Sequence, residues 1–306
     1  GTIEYFDRQS TNLIFAVPLP LSVGIQTETR NIGSMYNKGF EIQLSGDVIR
    51  TKDFVWNIDV NATKLENKIT KMPAESKEII DGTKKLKEGT SLYDYWLREY
   101  KGVNPENGVA EYRAISYVAS NSRITPTGDT LTNNIANARY WYNGTSIPDL
   151  TGSVTNSIRY KGFTLSALMV YQLGGKIYDA AYAGLMGAGY HNAKHVDILN
   201  RWVNPGDKTN VPRMDNGRTS DFDAASDRWL IDGSYMNVRS VTLSYNLPKT
   251  LARKLKMDNA QVYLSGENFI MLSKRSGMNV QQNFAGTTSN VYSPAKSLVI
   301  GLSFSL

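Results

Sequence analysis

Two aromatic clusters are the parts of the sequence best suited to binding a ligand. They are Tyr93-Asp-Tyr-Trp-Leu-Arg-Glu-Tyr100 and Tyr140-Trp-Tyr-Asn-Gly144. A sugar offers an apolar CH face and a rim of hydroxyl groups, so an aromatic ring beside Asp, Arg or Asn is a suitable receptor for it. The candidate ligand-binding residues are therefore Tyr93, Asp94, Tyr95, Trp96, Tyr140, Trp141, Tyr142 and Asn143.

Each aromatic cluster also has a purely structural interpretation. Tyr and Trp settle at membrane interfaces and pack loops together without touching any ligand. We favour this packing interpretation for the first cluster and leave both interpretations open for the second. Replacing Trp141 by alanine separates them, because a ligand contact is lost without a loss of folded protein.

The remaining chemistry-bearing residues do not form a recognisable catalytic or metal site. His191 and His195 have helical spacing but lack the adjacent Glu of a zinc protease, so we expect a loop helix with two solvated histidines. The glycines of 184–189 lack the context of a phosphate loop and predict a flexible loop. The acidic set lacks the spacing of a calcium loop and predicts a solvated loop; it comprises Asp215, Asp221, Asp223 and Asp227. The sequence therefore predicts no enzyme, no metal and no cofactor.

Composition limits the class of protein. The chain has 306 residues, of which 41% are apolar, with 18 Tyr, 5 Trp, 25 Gly and no Cys. Disulfides and thiolate metal sites are excluded, and no transmembrane helix can be drawn. The net charge of +6 comes from basic residues that are scattered among acids, which argues against nucleic-acid binding.

Alternating segments of about ten residues predict the elements that hold these loops. At the C-terminal end, Leu298, Ile300, Leu302, Phe304 and Leu306 alternate with small or polar residues. Six further segments alternate in the same way, and the short links between them predict hairpins. They pair as 39–48 with 56–63, 153–160 with 163–171, and 235–246 with 260–267, with a short helical turn near Leu251 and Leu255 in the last link.

Long polar stretches separate these hairpins. They cover 66–150, with possible short strands around 90–118, then 172–234 and 268–295. Short links that alternate with long ones are typical of an outer-membrane β-barrel, in which one face of each strand meets lipid. Polar residues such as Glu41, Asp59 and Glu267 would then face a hydrated interior. The alternatives are a passive porin and a secreted β-sandwich adhesin, although a sandwich spaces its turns more evenly.

The residues themselves resemble a family, the SusC-like TonB-dependent transporters of Bacteroidetes outer membranes. The strongest similarity lies in 232–248, followed by Val262-Tyr-Leu-Ser-Gly-Glu-Asn268 and Ser276-Gly277, which resemble the last strands of that family. Further similarities follow in the family's order: Asn31-Ile-Gly33 with Asn37-Lys-Gly-Phe-Glu41, Phe54-Val-Trp-Asn57, Gly102-Val-Asn-Pro-Glu-Asn-Gly108, Tyr160-Lys-Gly-Phe163, Gly174-Gly-Lys-Ile-Tyr-Asp179, and Arg201-Trp-Val-Asn-Pro205 with Pro212-Arg213.

The resemblance implies an all-β fold, a transmembrane antiparallel β-barrel of 22 strands that is closed by an N-terminal plug. Residues 1–306 are expected to be a C-terminal portion of that barrel with roughly half of its strands, and without the signal peptide, TonB box and plug. A half barrel leaves two unpaired edges, so we expect these strands not to close on themselves.

The resemblance also implies a function. It is TonB-dependent import of oligosaccharide or peptide nutrients across the outer membrane, without any covalent chemistry. The implied partners are a SusD-like surface lipoprotein, the N-terminal plug with the rest of the barrel, TonB, the lipid bilayer and a glycan or peptide substrate. One departure from the family pattern is Leu306 in place of a terminal aromatic residue, for which Phe304 could substitute.

Overall fold

The computed structural model describes residues 1–19, 21–74, 76–187, 193–214, 222–281, 284–288 and 294–305. Within these residues, the first nine strands are β1 (Thr2–Pro18), β2 (Thr27–Arg50), β3 (Phe54–Lys71), β4 (Glu78–Asp81), β5 (Lys84–Lys87), β6 (Asp94–Arg98), β7 (Tyr100–Val103), β8 (Ala110–Arg113) and β9 (Ser122–Ile124). The next nine are β10 (Thr130–Thr132), β11 (Tyr140–Thr145), β12 (Leu150–Tyr160), β13 (Phe163–Leu173), β14 (Lys176–Tyr178), β15 (Leu230–Asp232), β16 (Tyr235–Asn246), β17 (Asn259–Ser273) and β18 (Ser297–Ser305).

Helices are short and few in the described residues. The two α-helices are α1 (Ala180–Leu185) and α2 (Lys249–Lys254), and four 3-10 turns lie at Leu21–Val23, Ile135–Asn137, Val196–Asn200 and Asp227–Trp229. No helix in this described part of the chain is both long enough and apolar enough to span a membrane.

Eight strands form one continuous antiparallel sheet in the order β1-β2-β3-β12-β13-β16-β17-β18. The three predicted hairpins are confirmed as β2 with β3, β12 with β13, and β16 with β17, the last pair joined through α2. Strands β2 and β3 exceed the predicted ten residues, because they continue to pair with each other beyond the start of β12. Strand β2 has 24 residues and β3 has 18.

The sheet is open, as expected from the sequence. Within the described residues, β1 pairs with β2 alone and β18 with β17 alone, so neither outer strand meets the other. The expectation of roughly half a 22-stranded barrel is too high, since the sheet contains eight strands. A β-sandwich is also wrong, because the long strands form one continuous sheet rather than two sheets packed face to face.

One face of the sheet is apolar and exposed. Directly paired neighbours across seven strands form an unbroken apolar row of Ile49, Trp56, Ile158, Leu165, Leu243, Leu264 and Ile300. Ile300 is 76% exposed and Leu264 is 42% exposed. A bulge between Asp47 and Ile49 shifts the register, so Ile49 takes the place in this row that simple alternation gives to Val48.

On the opposite face of the sheet, the residues adjacent to this apolar row are mostly polar. Its row of paired neighbours is Asp47, Asn57, Ser157, Ser166, Thr242 and Ser265, ending at Val299. The Thr242 and Ser265 hydroxyls lie 2.8 Å apart across β16 and β17. Because side chains of a strand alternate between faces, one sequence pattern produces both rows. We call this face the polar face.

The connections divide between the two ends of the sheet. Short links at one end join β2 to β3, β12 to β13 and β16 to β17. All long connections emerge at the other end, where their described residues form three further small sheets. We call these long connections, within 72–149, 174–234 and 274–296, the loop body.

The loop body has a packed interior of its own. Its main cluster of buried residues comprises Tyr95, Leu97, Tyr178, Met186, Ile198, Val211, Phe222 and Trp229, and a second cluster comprises Ala110, Tyr112, Ala138 and Ala224. The prediction of a flexible glycine loop at 184–189 is therefore wrong in its described part: Gly184 lies in α1 and Met186 is fully buried. Residues 188 and 189 lie outside the described residues.

Candidate functional site

The two predicted aromatic clusters meet on neighbouring strands of the loop body. Strand β6 carries the first cluster and β11 carries the second, and they pair in antiparallel register. Trp96 lies opposite Tyr142, and Arg98 lies opposite Tyr140. Residues 42 to 46 positions apart in the chain are thus brought into one surface, which sequence alone does not indicate.

Cations alternate with rings on one face of this strand pair. The Trp96 ring is stacked on Tyr140 at a centroid distance of 6.2 Å and lies 4.8 Å from Tyr142. The Lys85 ammonium lies 4.2 Å from the Trp96 ring centre, and the Arg98 guanidinium lies 4.5 Å from that of Tyr140. These cation–π contacts hold the rings in place, so the rings and cations of this strand pair already have partners within the protein.

Tyr95 is a core residue and not a surface contact, which corrects its place among the candidates. Its side chain is 0% exposed, and its hydroxyl lies 2.5 Å from the carbonyl oxygen of Gly286 and 3.0 Å from that of Lys176. Burial raises the pKa of Tyr95 well above its usual range. Tyr95 therefore ties three loop segments together behind the site.

Lys84 lies directly against Tyr95. Its ammonium is 3.2 Å from the Tyr95 ring centre and donates hydrogen bonds to the Tyr93 carbonyl at 2.7 Å and to the Ser146 hydroxyl at 3.2 Å. Burial lowers the pKa of Lys84 to about 7, a shift that the nearby Asp94 carboxylate opposes. This buried amine is a feature that the sequence analysis missed.

Trp141 opens onto a cleft at the rim of the sheet. The cleft has a volume of about 750 Å³ and lies where β11, β14 and β15 approach β12, β13 and β16, at the ends of these strands that adjoin the loop body. We call it the rim cleft, and its side chains that can contact a ligand are Trp141, Thr145, Asp149, Asp227, Asp232 and Ser234. The indole of Trp141 is 42% exposed, which makes it the principal apolar surface offered to a ligand.

Carboxylates dominate the charge of the rim cleft, and their environments differ. Hydrogen bonds from Lys274 and Ser234 lower the pKa of Asp232 to about 2. Burial raises the pKa of Asp227, against hydrogen bonds from the Tyr100 backbone and the Trp141 side chain. Such oxygens accept hydrogen bonds from hydroxyl or ammonium groups of a ligand.

Other lining residues shape the rim cleft. The Lys176 ammonium donates to the Asn143 carbonyl at 2.6 Å, which anchors it to the wall. Asn143 is buried, and its amide group donates to the carbonyls of Leu97 and Trp141 at 3.1 and 3.0 Å. Asn143 therefore fixes the path of β11 behind Trp141, and the structure gives its side chain no free donor for a ligand.

A glycine pair forms one corner of the rim cleft. Gly174 and Gly175 have φ values of +72° and +73°, a conformation that side-chain-bearing residues rarely adopt. A Cβ on Gly174 would lie 2.0 Å from the Asp149 carboxylate. The glycine pair is visible in the sequence, but its proximity to Asp149 depends on the pairing of β12 with β13, and its proximity to Asp232 on the pairing of β14 with β15.

The remaining candidates of the first cluster lie on two other surfaces. The Asp94 carboxylate accepts a hydrogen bond from the Ser91 backbone at 2.9 Å and so caps a turn. Tyr93 makes an edge-to-face contact with Phe284 at 5.7 Å and lines a separate pocket on the polar face. Within the first cluster, Tyr95 therefore lies in the core, Trp96 lies beside the rings of β11, and Tyr93 lines the separate pocket.

The candidate metal residues have structural roles where they are described. His195 caps the turn Val196–Asn200 and packs edge-on against Tyr182 at 4.9 Å. Asp227 accepts a hydrogen bond from the Tyr100 backbone, and Asp223 is exposed. His191, Asp215 and Asp221 lie outside the described residues. Among the described ones, no group of three or more His, Cys, Asp or Glu residues is arranged to hold a metal ion.

Comparison with known structures defines the class of fold. The chain matches the structure of the RagAB peptide transporter with a TM-score of 0.83 at 21% identity, covering 99% of this chain and 33% of that one. The same importer in an open-open state matches with a TM-score of 0.78. The chain therefore has the all-β, antiparallel fold of about one third of that transporter chain.

Comparison with known sequences confirms the resemblance found in the residues. TonB-dependent receptor P3 of Formosa agariphila is 27% identical over 300 residues, which are 92% of this chain and 29% of that receptor. TonB-dependent receptor SusC of Bacteroides thetaiotaomicron is 25% identical over 320 residues, 99% of this chain and 30% of SusC. No family model matches the chain. The chain spans about a third of the length of these relatives, which are named as receptors and not as enzymes.

Proposed function

We propose that residues 1–306 form a C-terminal portion of the barrel of a TonB-dependent outer-membrane transporter that imports oligosaccharides or peptides. The observation that carries this proposal is the open eight-stranded sheet with one exposed apolar face. An apolar face of this kind is stable against lipid, and its unpaired edges are satisfied only when further strands close the barrel.

The proposal includes the partners that complete the transporter. The remaining strands of the barrel would pair with β1 and β18. The remainder of the transporter that supplies these strands would also contain the plug, the TonB box and the signal peptide. The fact that the chain spans about a third of its relatives supports this arrangement. A SusD-like surface lipoprotein would cover the loop body, an inference that rests on the similarity to SusC and to the two-component RagAB transporter.

The mechanism is gated passage without covalent chemistry. The loop body and the lipoprotein would capture a ligand, and TonB would pull the plug to open the interior. In this scheme the rim cleft supplies Trp141 for stacking and Asp149, Asp227 and Asp232 as hydrogen-bond acceptors. Hydroxyl-rich sugars and cationic peptide side chains both satisfy those acceptors.

Growth on a single nutrient tests the proposal. We expect a strain without this transporter to lose growth on one class of oligosaccharide or peptide, and we expect a TonB deletion to cause the same loss. Restoring the transporter should rescue growth only in the strain that has TonB. Rescue without TonB would contradict the proposal and would identify a passive porin.

A further inference from the structure

A second pocket lies on the polar face of the sheet, apart from the rim cleft. It has a volume of about 420 Å³, within the range of small-molecule sites. Strands β1, β2 and β3 line it on the side of the sheet, and the loop body lines it on the opposite side. We call it the polar-face pocket, and its lining includes Phe6, Arg8, Glu41, Leu65, Tyr93 and Phe284.

The centre of this pocket is apolar. Phe6 lies opposite Gly39 in the pairing of β1 with β2, and a Cβ on Gly39 would come within 2.5 Å of the Phe6 ring. Glycine at this position therefore leaves room for the ring to lie on the sheet. Leu65 of β3 also pairs with Gly39, and the edge-to-face pair of Tyr93 and Phe284 closes the pocket from above.

Charges of opposite sign flank this apolar centre. Arg8 lies two residues beyond Phe6 on β1, and its guanidinium is 5.0 Å from the Phe6 ring centre. At the other end, Glu4 and Glu41 lie directly opposite each other on the same face. Glu4 and Arg8 are four positions apart on β1, which places the two ends about 13 Å apart along the strand.

These charges are not neutralised by one another. Among the described residues, the ion pair in this region joins Lys38 to Asp7 on the other face of the strands, and it does not involve Arg8, Glu4 or Glu41. Two like charges placed directly opposite each other across a ladder are destabilising. A cation bound between Glu4 and Glu41 would remove that repulsion.

We propose that the polar-face pocket binds a short peptide with free ends, about three residues long. The amino group would lie between Glu4 and Glu41, the terminal carboxylate would pair with Arg8, and an apolar side chain would fill the space between Phe6 and the pair Tyr93 and Phe284. An extended tripeptide spans about 10 Å, and the long Arg and Glu side chains cover the rest. A neutral oligosaccharide would leave both charged ends unpaired.

This inference rests on the proposed function, and it selects peptide over glycan as the substrate class. The test measures binding by isothermal titration calorimetry to the complete transporter, purified in detergent. The probes are Ala-Phe-Ala with free ends, the same peptide with a C-terminal amide, the same peptide with an acetylated N-terminus, and maltotriose.

Each charged end of the pocket is tested by a thermodynamic cycle that combines a substitution in the protein with a chemical block at the corresponding end of the peptide. We expect Arg8→Gln to weaken Ala-Phe-Ala binding about tenfold or more, the value of one charge-assisted hydrogen bond, and to leave the amidated peptide unaffected. The double variant Glu4→Gln with Glu41→Gln should discriminate in the same way between free and acetylated peptides. Lys64→Gln is the matched control, since Lys64 is exposed on the opposite face and pairs with Phe40.

The outcomes separate the pocket from the transport proposal. Equal losses for free and blocked peptides, or tighter binding of maltotriose than of Ala-Phe-Ala, would overturn the peptide assignment. Absence of any tripeptide binding to the folded transporter would overturn it as well. In each of these cases TonB-dependent growth on a nutrient would still uphold the proposed function, whereas TonB-independent growth would contradict that function whatever the pocket binds.

Discussion

At the scale of single residues, Trp141 is the exposed ring to which the proposed function assigns ligand stacking in the rim cleft. We expect Trp141→Ala to weaken binding of the transported ligand about tenfold, because stacking and apolar burial are both lost. The measurement is ligand affinity together with the yield of folded transporter. Tyr117→Ala is a suitable control, since Tyr117 is 56% exposed and does not line the cleft. A lower yield with unchanged affinity would show that Trp141 only packs the loops.

Lys84 gives the loop body a dependence on pH. Burial lowers its pKa to about 7, whereas an unfolded lysine titrates near 10.4. From pH 7 to 9 the locally unfolded chain therefore binds more protons than the folded one, and local stability rises with pH.

Hydrogen exchange of the β6 amides measures this effect. After correction for intrinsic rates, we expect protection to rise with pH by at most about tenfold per unit between pH 7 and 9. Lys84→Met should abolish the slope, since it keeps the apolar stem beside Tyr95 and removes the titrating amine. An unchanged slope in this variant would assign the pH dependence to another group.

Residue types predicted the site only in part. The clusters around Trp96 and Trp141 were recognisable because aromatic rings beside polar groups are compatible with ligand binding. The burial of Tyr95 was not, since its partners Gly286 and Lys176 are distant in the chain. The carboxylates of the rim cleft were missed for the same reason, because Asp149 and Asp232 reach the same cleft only through the pairing of β12 with β13 and of β14 with β15.

At the scale of elements, the last two strands depend on a close approach between Gly301 and Tyr263. A Cβ on Gly301 would lie 2.1 Å from the Tyr263 ring, and these residues are direct partners in β17 and β18. We expect Gly301→Ala to destabilise the barrel by about 1–3 kcal/mol through overpacking. The measurement is the midpoint of urea unfolding of the complete transporter.

A matched glycine on another strand controls for the change itself. Gly46 lies on β2 with ordinary backbone geometry, and a Cβ placed there would have nothing within 4 Å. Gly46→Ala should leave the midpoint nearly unchanged. Equal effects of the two variants would show that the ring contact is not the cause.

The long strands were predictable because their alternation is local, and each hairpin appeared where a short link joined two alternating segments. The short strands expected around 90–118 are confirmed as β6, β7 and β8. The other short strands of the loop body were not predicted, since strands such as β9 and β10 have only three residues each. The extension of β2 and β3 was missed because alternation weakens where both faces become polar. Helix α1 was missed since its glycine resembles a loop signal.

At the scale of the whole molecule, the open sheet and its two faces explain why this chain needs partners. The apolar row that runs from Ile49 to Ile300 has no covering layer in the described residues, and β1 and β18 each have one unpaired edge. Both features are costly in water, whereas lipid and further strands satisfy them together. We therefore expect the apolar face of the sheet to lie against the lipid bilayer.

Spin labels at single cysteines test that claim most directly, because this chain contributes no cysteine of its own. Labels at Leu264, Ile300 and Leu302 are predicted to collide with oxygen dissolved in the bilayer and to be shielded from a water-soluble nickel chelate. Labels at Ser265 and Ser303 should show the reverse, so accessibility alternates with a period of two residues. Nickel access at every position in the membrane-reconstituted transporter would contradict the barrel.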